Sequence, residues 1–292
     1  MIQTGEKLSI SNIRKFYDTG ATRDISFRIA QLKKLKHAIK SHENDILNAL
    51  HDDLRKPPFE AYASEVGILY PEIEHMIKKL RRWAKPKRVG TPIIHFYSKS
   101  TVYHEPYGVV LIISPWNYPF QLTMVPLIGA IAAGNCAVIK PSSLSSHTSR
   151  TIAALIAESF DPQYISVFEG SGKEARGLLE NRFDYIFFTG GTETGRSIMQ
   201  SAAKNLTPVT LELGGKSPAI VDEDADLEKA ARRIAWGKFF NAGQTCLAPD
   251  YLLVHASVKT RFIELLTKTI DEFYRGDPHS SPDYARIIST PA

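Results

Sequence analysis

The amino-acid sequence predicts an α/β protein built on a doubly wound parallel sheet. Between residues 108 and 213, short continuously apolar segments alternate with segments of helical periodicity. Strands that are apolar along their whole length are typical of parallel sheets covered by helices on both faces. The chain has 292 residues, 43% of them apolar, which is enough for two domains with packed cores.

Composition argues against several classes of protein. The net charge of +5 comes from 36 basic and 31 acidic residues, an excess too small to indicate a nucleic-acid partner. The two cysteines and nine histidines do not occur at metal-ligand spacing, so neither a disulfide framework nor a metal site is predicted. The N-terminal sequence lacks the apolar core of a signal peptide, and no segment has the length of a membrane span. We therefore expect a cytoplasmic protein.

Residues 1–88 are expected to be helical. Apolar residues recur at spacings of three and four from Ile25 to Leu54, and the pair Pro57-Pro58 ends this pattern. A second helical stretch is predicted over residues 61–80, followed by a basic run that we interpret as a solvated helix end. These helices are interpreted as packing elements, and we find no candidate catalytic residue in them.

Residues 89–107 predict a β-hairpin. The sequence TPIIHFYSKSTVYHEPY at 91–107 is rich in β-branched and aromatic residues and has a polar break at residues 98–100. Such a hairpin can pair with another subunit or pack on its own chain. The residues alone favour neither alternative.

A cofactor-binding domain is predicted over residues 108–211. Its strands are VVLIIS (109–114), CAVIKP (136–141), ISVFEG (165–170), YIFFTG (185–190) and PVTLEL (208–213), with a helix after each of the first four. A further α/β unit is predicted over residues 212–292. It comprises the strand PAIVDED (218–224), a long helix over 226–243, the strand YLLVHA (251–256), a helix over 258–274 and a strand that begins within RIISTPA (286–292).

Reactive side chains follow three of these strands. Ligands of doubly wound proteins bind beyond the carboxyl ends of the strands. Asn117 can donate an amide hydrogen to an oxyanion, and Lys140 can contact the hydroxyls or phosphate of a nucleotide. Glu212 precedes a Gly-Gly break, where partial burial would raise its pKa towards that of a general base. Each residue alone is more often structural.

The sequence FTGGTETG at 188–195 joins a predicted strand to a helix. Glycine allows close approach of a phosphate, and a helix N-terminus offers free N–H groups to it. The spacing is neither GxGxxG nor a Walker A motif, so an ordinary turn remains an equal alternative.

Cys246 lies in FNAGQTCLAP (240–249), at the end of the predicted long helix. Free N–H groups and the dipole at a helix end or tight turn lower the pKa of a thiol, which favours a nucleophile. The alternative is a small buried hydrophobic residue.

Five motifs in this order resemble the aldehyde dehydrogenase superfamily: SPWNYPF, NCAVIKPS, FTGGTETG, LELGGKSPAIV and GQTCLAP. The short N-terminal part resembles the class 3 branch, which acts on fatty and aromatic aldehydes. The resemblance implies a Rossmann-like cofactor domain, an oligomerisation arm in the hairpin, and oxidation of an aldehyde to its acid with NAD or NADP. It also implies a homodimer for the full-length relatives.

The same resemblance assigns roles to individual residues. Cys246 would attack the aldehyde to form a thiohemiacetal, whose oxyanion the Asn117 amide and the Cys246 N–H would hold, and a thioester would follow. Glu212 would activate the thiol, the hydrolytic water or both. The residues implied to bind the cofactor or line its site are Lys140, Ser143, Gly190, Gly191, Thr192, Gly195, Trp116 and Leu213.

The sequence departs from the family pattern at two places. Ser143 stands where many members carry a glutamate that binds the adenosine ribose, so we expect NADP to be accepted as well as NAD. Family members also continue beyond the position of Ala292, through a Glu-x-Phe-Gly-Pro motif. We therefore expect a C-terminally truncated form with an incomplete catalytic domain, either part of a longer enzyme or one piece of a split protein.

Three alternative functions remain compatible with the sequence. An acylating dehydrogenase would pass the thioester to coenzyme A, although the presence of Glu212 favours hydrolysis. A catalytically silent nucleotide-binding or assembly module would bind cofactor without turnover. A thiol esterase would need only Cys246, Asn117 and Glu212.

Overall fold

The computed structural model describes residues 9–170, 172–274 and 277–289 of the chain. The helices are α1 (Ile10–Asp18), α2 (Ile25–Ser41), α3 (Glu43–Leu54), α4 (Pro58–Ala61), α5 (Leu69–Trp83), α6 (Gln121–Ala133), α7 (Ser146–Ser159), α8 (Gly172–Leu178), α9 (Thr192–Ala203), α10 (Leu227–Phe239) and α11 (Lys259–Tyr274). The strands are β1 (Lys87–Val89), β2 (Ser100–Val102), β3 (Val109–Ile113), β4 (Cys136–Lys140), β5 (Ile165–Val167), β6 (Tyr185–Thr189), β7 (Val209–Glu212), β8 (Ser217–Val221) and β9 (Pro249–Val254).

The central sheet confirms the predicted fold class. Its five strands are parallel, in the order β5-β4-β3-β6-β7. All of β4 and most of β3 are buried, which explains why their sequences are apolar without alternation. The strand order reverses between β3 and β6, and doubly wound sheets bind their ligands in a crevice at such a reversal.

The N-terminal helices and the central sheet share one hydrophobic core. Helices α2 and α5 pack on α6, α3 packs on α7, and α6 in turn packs on β3 and β4. Leu32, Leu50 and Leu69 from the helices lie in the same buried cluster as Leu111 and Val138 from the sheet. The helical periodicity of residues 25–54 therefore marks the face that packs on the α/β part of the chain.

The hairpin differs from the predicted one in its first strand. The antiparallel partner of β2 is β1, with Lys87 opposite Val102, so this strand begins before the expected segment and ends at its first residue. Residues 91–97 form a loop with a 3₁₀ turn at Ile93–His95. Pro92 lacks an N–H group for a ladder, and Tyr97 has a φ of 76°, so neither residue suits a regular strand.

Strands β8 and β9 form a separate parallel pair that packs against α10 and, through Phe262, against α11. Its small core contains Val221, Ala231 and Phe262. The helix predicted over 226–243 is shorter than expected, because α10 ends at Phe239 and a distorted turn follows. Residues 286–289 do not form the predicted strand, and residues 290–292 lie outside the described residues.

Within the described ranges, none of the helices combines the length and the apolar character that crossing a membrane requires.

Candidate active site

The loop between β3 and α6 contacts the loop that contains Cys246. The Asn117 side-chain amide donates a hydrogen bond to the carbonyl oxygen of Gln244 over 2.8 Å. The hydroxyl groups of Tyr118 and Thr245 form a second hydrogen bond of 2.6 Å. Because Gln244 and Thr245 directly precede Cys246, these two contacts bring the predicted oxyanion donor and the predicted nucleophile to one site.

Cys246 lies in a turn beyond helix α10, so the expectation that it ends this helix is wrong. Asn241 and Ala242 have φ values of 54° and 53°, and this left-handed backbone stops the helix before the cysteine is reached. Cys246 is exposed, whereas Cys136 is buried in β4. Burial raises the pKa of the Cys136 thiol to about 12, so Cys136 has the properties of a structural residue.

Glu212 ends β7, which is an edge strand of the central sheet. The side chain is exposed, so the partial burial expected from the sequence is not found. The segment after Glu212 nevertheless reaches the cysteine, because a Cβ placed on Gly215 would lie 2.6 Å from the carbonyl oxygen of Cys246. Glycine is therefore required where these two backbones meet.

The glycine-rich turn lies beside Glu212. The Gly190 N–H donates to the Glu212 carbonyl oxygen over 3.0 Å. Gly195 is buried, and a Cβ there would lie 3.0 Å from Leu213, so a small residue lets α9 pack closely on this segment. Gly191 and Thr192 are exposed at the start of α9. No side chain caps this helix start, so the N–H groups of its first turn remain available to a ligand.

Lys140 ends β4, next to the strand that precedes Asn117. Its amino group is buried and donates to the Pro141 carbonyl oxygen over 2.9 Å. Burial lowers the pKa of Lys140, and the nearby Glu174 carboxylate partly opposes this effect. Ser143 is exposed in the following loop, and Trp116 is half-buried beside Asn117.

Sequence reasoning missed three buried charged residues in the N-terminal helical part. The Lys56 ammonium forms an ion pair with Glu65 and donates to the Asn117 carbonyl oxygen over 3.0 Å. The Glu60 carboxylate accepts from the Asn241 N–H over 2.9 Å. The sequence gives a weak indication of this burial, because the three charged residues lie within two positions of the apolar residues Leu54, Ala61 and Val66. Charged residues in such positions are nevertheless usually exposed to solvent.

No group of three His, Cys, Asp or Glu side chains suited to a metal ion is found in the part of the chain that the structure describes.

The sequence profile of the aldehyde dehydrogenase family matches residues 9–290. This chain belongs to the aldehyde dehydrogenase family. A 4,4'-diaponeurosporen-aldehyde dehydrogenase of Staphylococcus aureus is 55% identical over 94% of this chain and 60% of its own length. The dimeric NADP-preferring aldehyde dehydrogenase of Canis lupus familiaris is 48% identical over 96% of this chain and 62% of its own length.

The class 3 resemblance is also confirmed. Aldehyde dehydrogenase family 3 member A2 of Pongo abelii is 44% identical over 97% of this chain and 58% of its own length. A solved structure described as the substrate-bound state of Staphylococcus aureus AldH has a TM-score of 0.93 and 54% identity, over 96% of this chain and 61% of that chain. The present chain thus spans about three fifths of the aldehyde dehydrogenases it matches.

Proposed function

We propose that this chain forms the cofactor site and the nucleophile of an enzyme that oxidises an aldehyde to a carboxylic acid with NAD or NADP. The observation that carries the proposal is the pair of hydrogen bonds between the Asn117 loop and the two residues before Cys246. These contacts lie at the carboxyl edge of the sheet, near the crevice where dinucleotides bind in this architecture.

Cys246 is the proposed nucleophile, because it is exposed in a turn and faces no competing disulfide partner. Its sulfur would bond to the aldehyde carbon, and the electron pair of the carbonyl bond would move to the oxygen. The Asn117 amide has two hydrogens, of which the bond to Gln244 uses one. The second would be directed to the developing oxyanion.

The residues of the crevice fit a dinucleotide. The glycine-rich turn presents N–H groups at the start of α9 for the pyrophosphate, and Lys140 supplies a cation at the end of β4, two strands away in the sheet. At the end of β6, the Thr189 hydroxyl is buried with no hydrogen-bond partner among the described residues, as expected for a group that a ligand satisfies. When bound, NAD or NADP supplies the hydride acceptor that converts the thiohemiacetal into a thioester.

Glu212 is the proposed general base for hydrolysis. The carboxylate would take a proton from water as the water oxygen bonds to the thioester carbon, and the Cys246 sulfur would leave. Its exposure leaves room for water beside the carboxylate. The close approach of Gly215 to the Cys246 carbonyl oxygen supports this role, because it brings the segment after Glu212 against the backbone of the nucleophile.

An apolar aldehyde is the proposed substrate class. The support is the 55% identity to a relative named for 4,4'-diaponeurosporen-aldehyde and the similarity to the class 3 branch. A homodimer is proposed through the hairpin, where Ile93 and Ile94 are 83% and 84% exposed. The free thiol of Cys246 favours a reducing compartment such as the cytoplasm.

The test measures the NADH or NADPH that the purified chain forms when it is supplied with NAD or NADP and an aldehyde. A series of aldehydes of increasing length is compared. Cys246→Ala should abolish turnover, whereas the matched variant Cys136→Ala should keep it. Turnover that persists in Cys246→Ala would contradict the proposal. Cofactor binding without aldehyde-dependent turnover in the wild-type chain would instead support a silent nucleotide-binding module.

A further inference from the structure

Three buried charged side chains lie beneath the two loops of the site. Lys56 and Glu65 have no exposed side-chain surface, and Glu60 is 8% exposed. All three come from the segment between α3 and α5, and none of them has a role in the proposed reaction. Burial of charge costs free energy unless the charges are paired and hydrogen-bonded, so their contacts define what they stabilise.

Lys56 and Glu65 act on the loop that contains Asn117. The Lys56 ammonium has three neighbours: the Glu65 carboxylate, the Asn117 carbonyl oxygen at 3.0 Å and the Tyr118 ring, whose centroid is 4.2 Å away. The second oxygen of Glu65 accepts from the N–H groups of Phe120 and Gln121 over 3.0 and 2.9 Å. The ion pair therefore joins the middle of this loop to the start of α6.

Glu60 acts on the loop that contains Cys246. Its carboxylate accepts from the Asn241 N–H over 2.9 Å, at the first of two successive left-handed residues. Left-handed backbone is costly for residues other than glycine and persists where neighbouring contacts stabilise it. The Asn241 side-chain amide then donates to the Asn117 carbonyl oxygen over 2.8 Å. Asn117 and Asn241 are thus held to each other, Asn117 to Lys56 and Asn241 to Glu60.

We infer that Lys56, Glu60 and Glu65 are positioning residues that fix the Asn117 loop against the Cys246 loop. Their catalytic consequence rests on the proposed function, whereas the fixed geometry of the two loops can be measured without turnover. The three residues contact backbone groups of Asn117, Phe120, Gln121 and Asn241. None of these hydrogen bonds involves the Cys246 thiol.

The test compares Glu60→Ala with Glu60→Gln in the full chain. The alanine removes the acceptor for the Asn241 N–H, whereas the glutamine keeps an oxygen there. Glu74→Ala is the matched control, because it removes an exposed glutamate that pairs with Lys36 on the outside of the helices. Hydrogen–deuterium exchange of the peptide over residues 240–248 reports on the loop, and the peptide over β4 reports on the core.

Glu60→Ala should speed exchange of the 240–248 peptide about tenfold, the effect of one lost buried hydrogen bond, with the β4 peptide unchanged. The kcat for aldehyde oxidation should fall at least about tenfold, while the KM for NAD stays constant because the glycine-rich turn is untouched. Glu60→Gln should restore both quantities, and Glu74→Ala should resemble the wild type.

Wild-type exchange of this peptide in folded Glu60→Ala would overturn the inference. If Glu60→Ala does not fold, Glu60→Asp shortens the side chain by one methylene, and unchanged exchange there would overturn it equally. A wild-type chain without aldehyde oxidation would contradict the proposed function alone, because the exchange comparison still decides whether Glu60 fixes the loop.

Discussion

The side-chain amide of Asn117 donates to the carbonyl oxygen of Gln244, two residues before Cys246, over 2.8 Å. This bond joins the loop after β3 to a turn that is distant in sequence. It ties the Asn117 amide to the backbone just before the exposed thiol, and the amide has a second hydrogen that this bond does not use.

The two thiols should differ strongly in reactivity. Cys246 is exposed, and Cys136 is buried with a pKa raised to about 12. In native protein at neutral pH, a disulfide reagent should label Cys246 at least about 10² times faster than Cys136, whose labelling requires the sheet to open. Mass spectrometry of the labelled peptides measures both rates. Equal labelling in the folded chain would contradict the assignment of Cys136 to the core.

Gly215→Ala should impair the site more than Gly214→Ala. A Cβ on Gly215 would lie 2.6 Å from the carbonyl oxygen of Cys246, and a Cβ on Gly214 would meet nothing within 4 Å. Displacing backbone in this way costs about 1–3 kcal/mol, here at the loop that contains the nucleophile. We expect Gly215→Ala to lower kcat at least about tenfold, with Gly214→Ala close to wild type in steady-state assays. The opposite ranking would show that this contact does not limit the site.

Ser143→Glu should weaken the use of NADP selectively. The exposed side chain tolerates the substitution, and the carboxylate would repel the 2′-phosphate of NADP but not the ribose hydroxyls of NAD. The KM for NADP should rise about fivefold to tenfold, with the KM for NAD unchanged or lower. Ser26→Glu, an equal change of charge on α2, serves as control. An equal rise in the KM values for NAD and NADP would mean that Ser143 does not lie near the 2′-phosphate of NADP.

Glu60 should make the stability of the chain depend on pH. Burial raises its pKa, and Glu65 adds to this effect, whereas Lys56 and the Asn241 N–H oppose it. The folded chain therefore binds this proton more strongly than the unfolded chain does. Its contribution to the unfolding free energy is present in full below the ordinary pKa of 4.5 and is lost as the pH rises through the raised pKa.

Glu60→Gln removes this titration. Urea unfolding at a series of pH values measures the free energy of unfolding of both chains. The variant should gain stability relative to the wild type as the pH rises above 4.5, and the difference should become constant above the raised pKa of Glu60. The tyrosines that also face Glu60 stay neutral in this range, because burial raises the pKa of Tyr118 and Tyr274 to about 12 and also raises that of Tyr284. A difference independent of pH would mean that Glu60 titrates normally in the folded chain.

Much of the central sheet could be predicted from the sequence, because burial on both faces leaves runs such as those of β3 and β4 without polar residues. The first hairpin strand could not, because Lys87–Val89 is short and exposed and carries no burial pattern. The turn at Asn241 and Ala242 was also missed, since neither residue is the glycine that usually marks left-handed backbone.

The candidate site also contains some features that the sequence predicts and others that it does not. Asn117, Lys140, Glu212 and the glycine-rich turn could be placed together, because the carboxyl ends of parallel strands meet at one edge. The bond from Asn117 to Gln244 and that from Glu60 to Asn241 depend on tertiary packing between distant segments, which no local pattern encodes. The exposure of Glu212 likewise follows from the position of β7 at the sheet edge, which the order of strands in sequence does not give.

The central claim, that Cys246 forms a covalent intermediate with the aldehyde carbon, can be measured directly. The chain is mixed with NAD and an apolar aldehyde, quenched in acid and digested for mass spectrometry. Glu212→Gln is measured in parallel, because slower hydrolysis should let the thioester accumulate. The account predicts an acyl group on the peptide that contains Cys246, in greater yield in Glu212→Gln and dependent on NAD. Turnover with the acyl group on another residue, or with no acyl group in either chain, would contradict it.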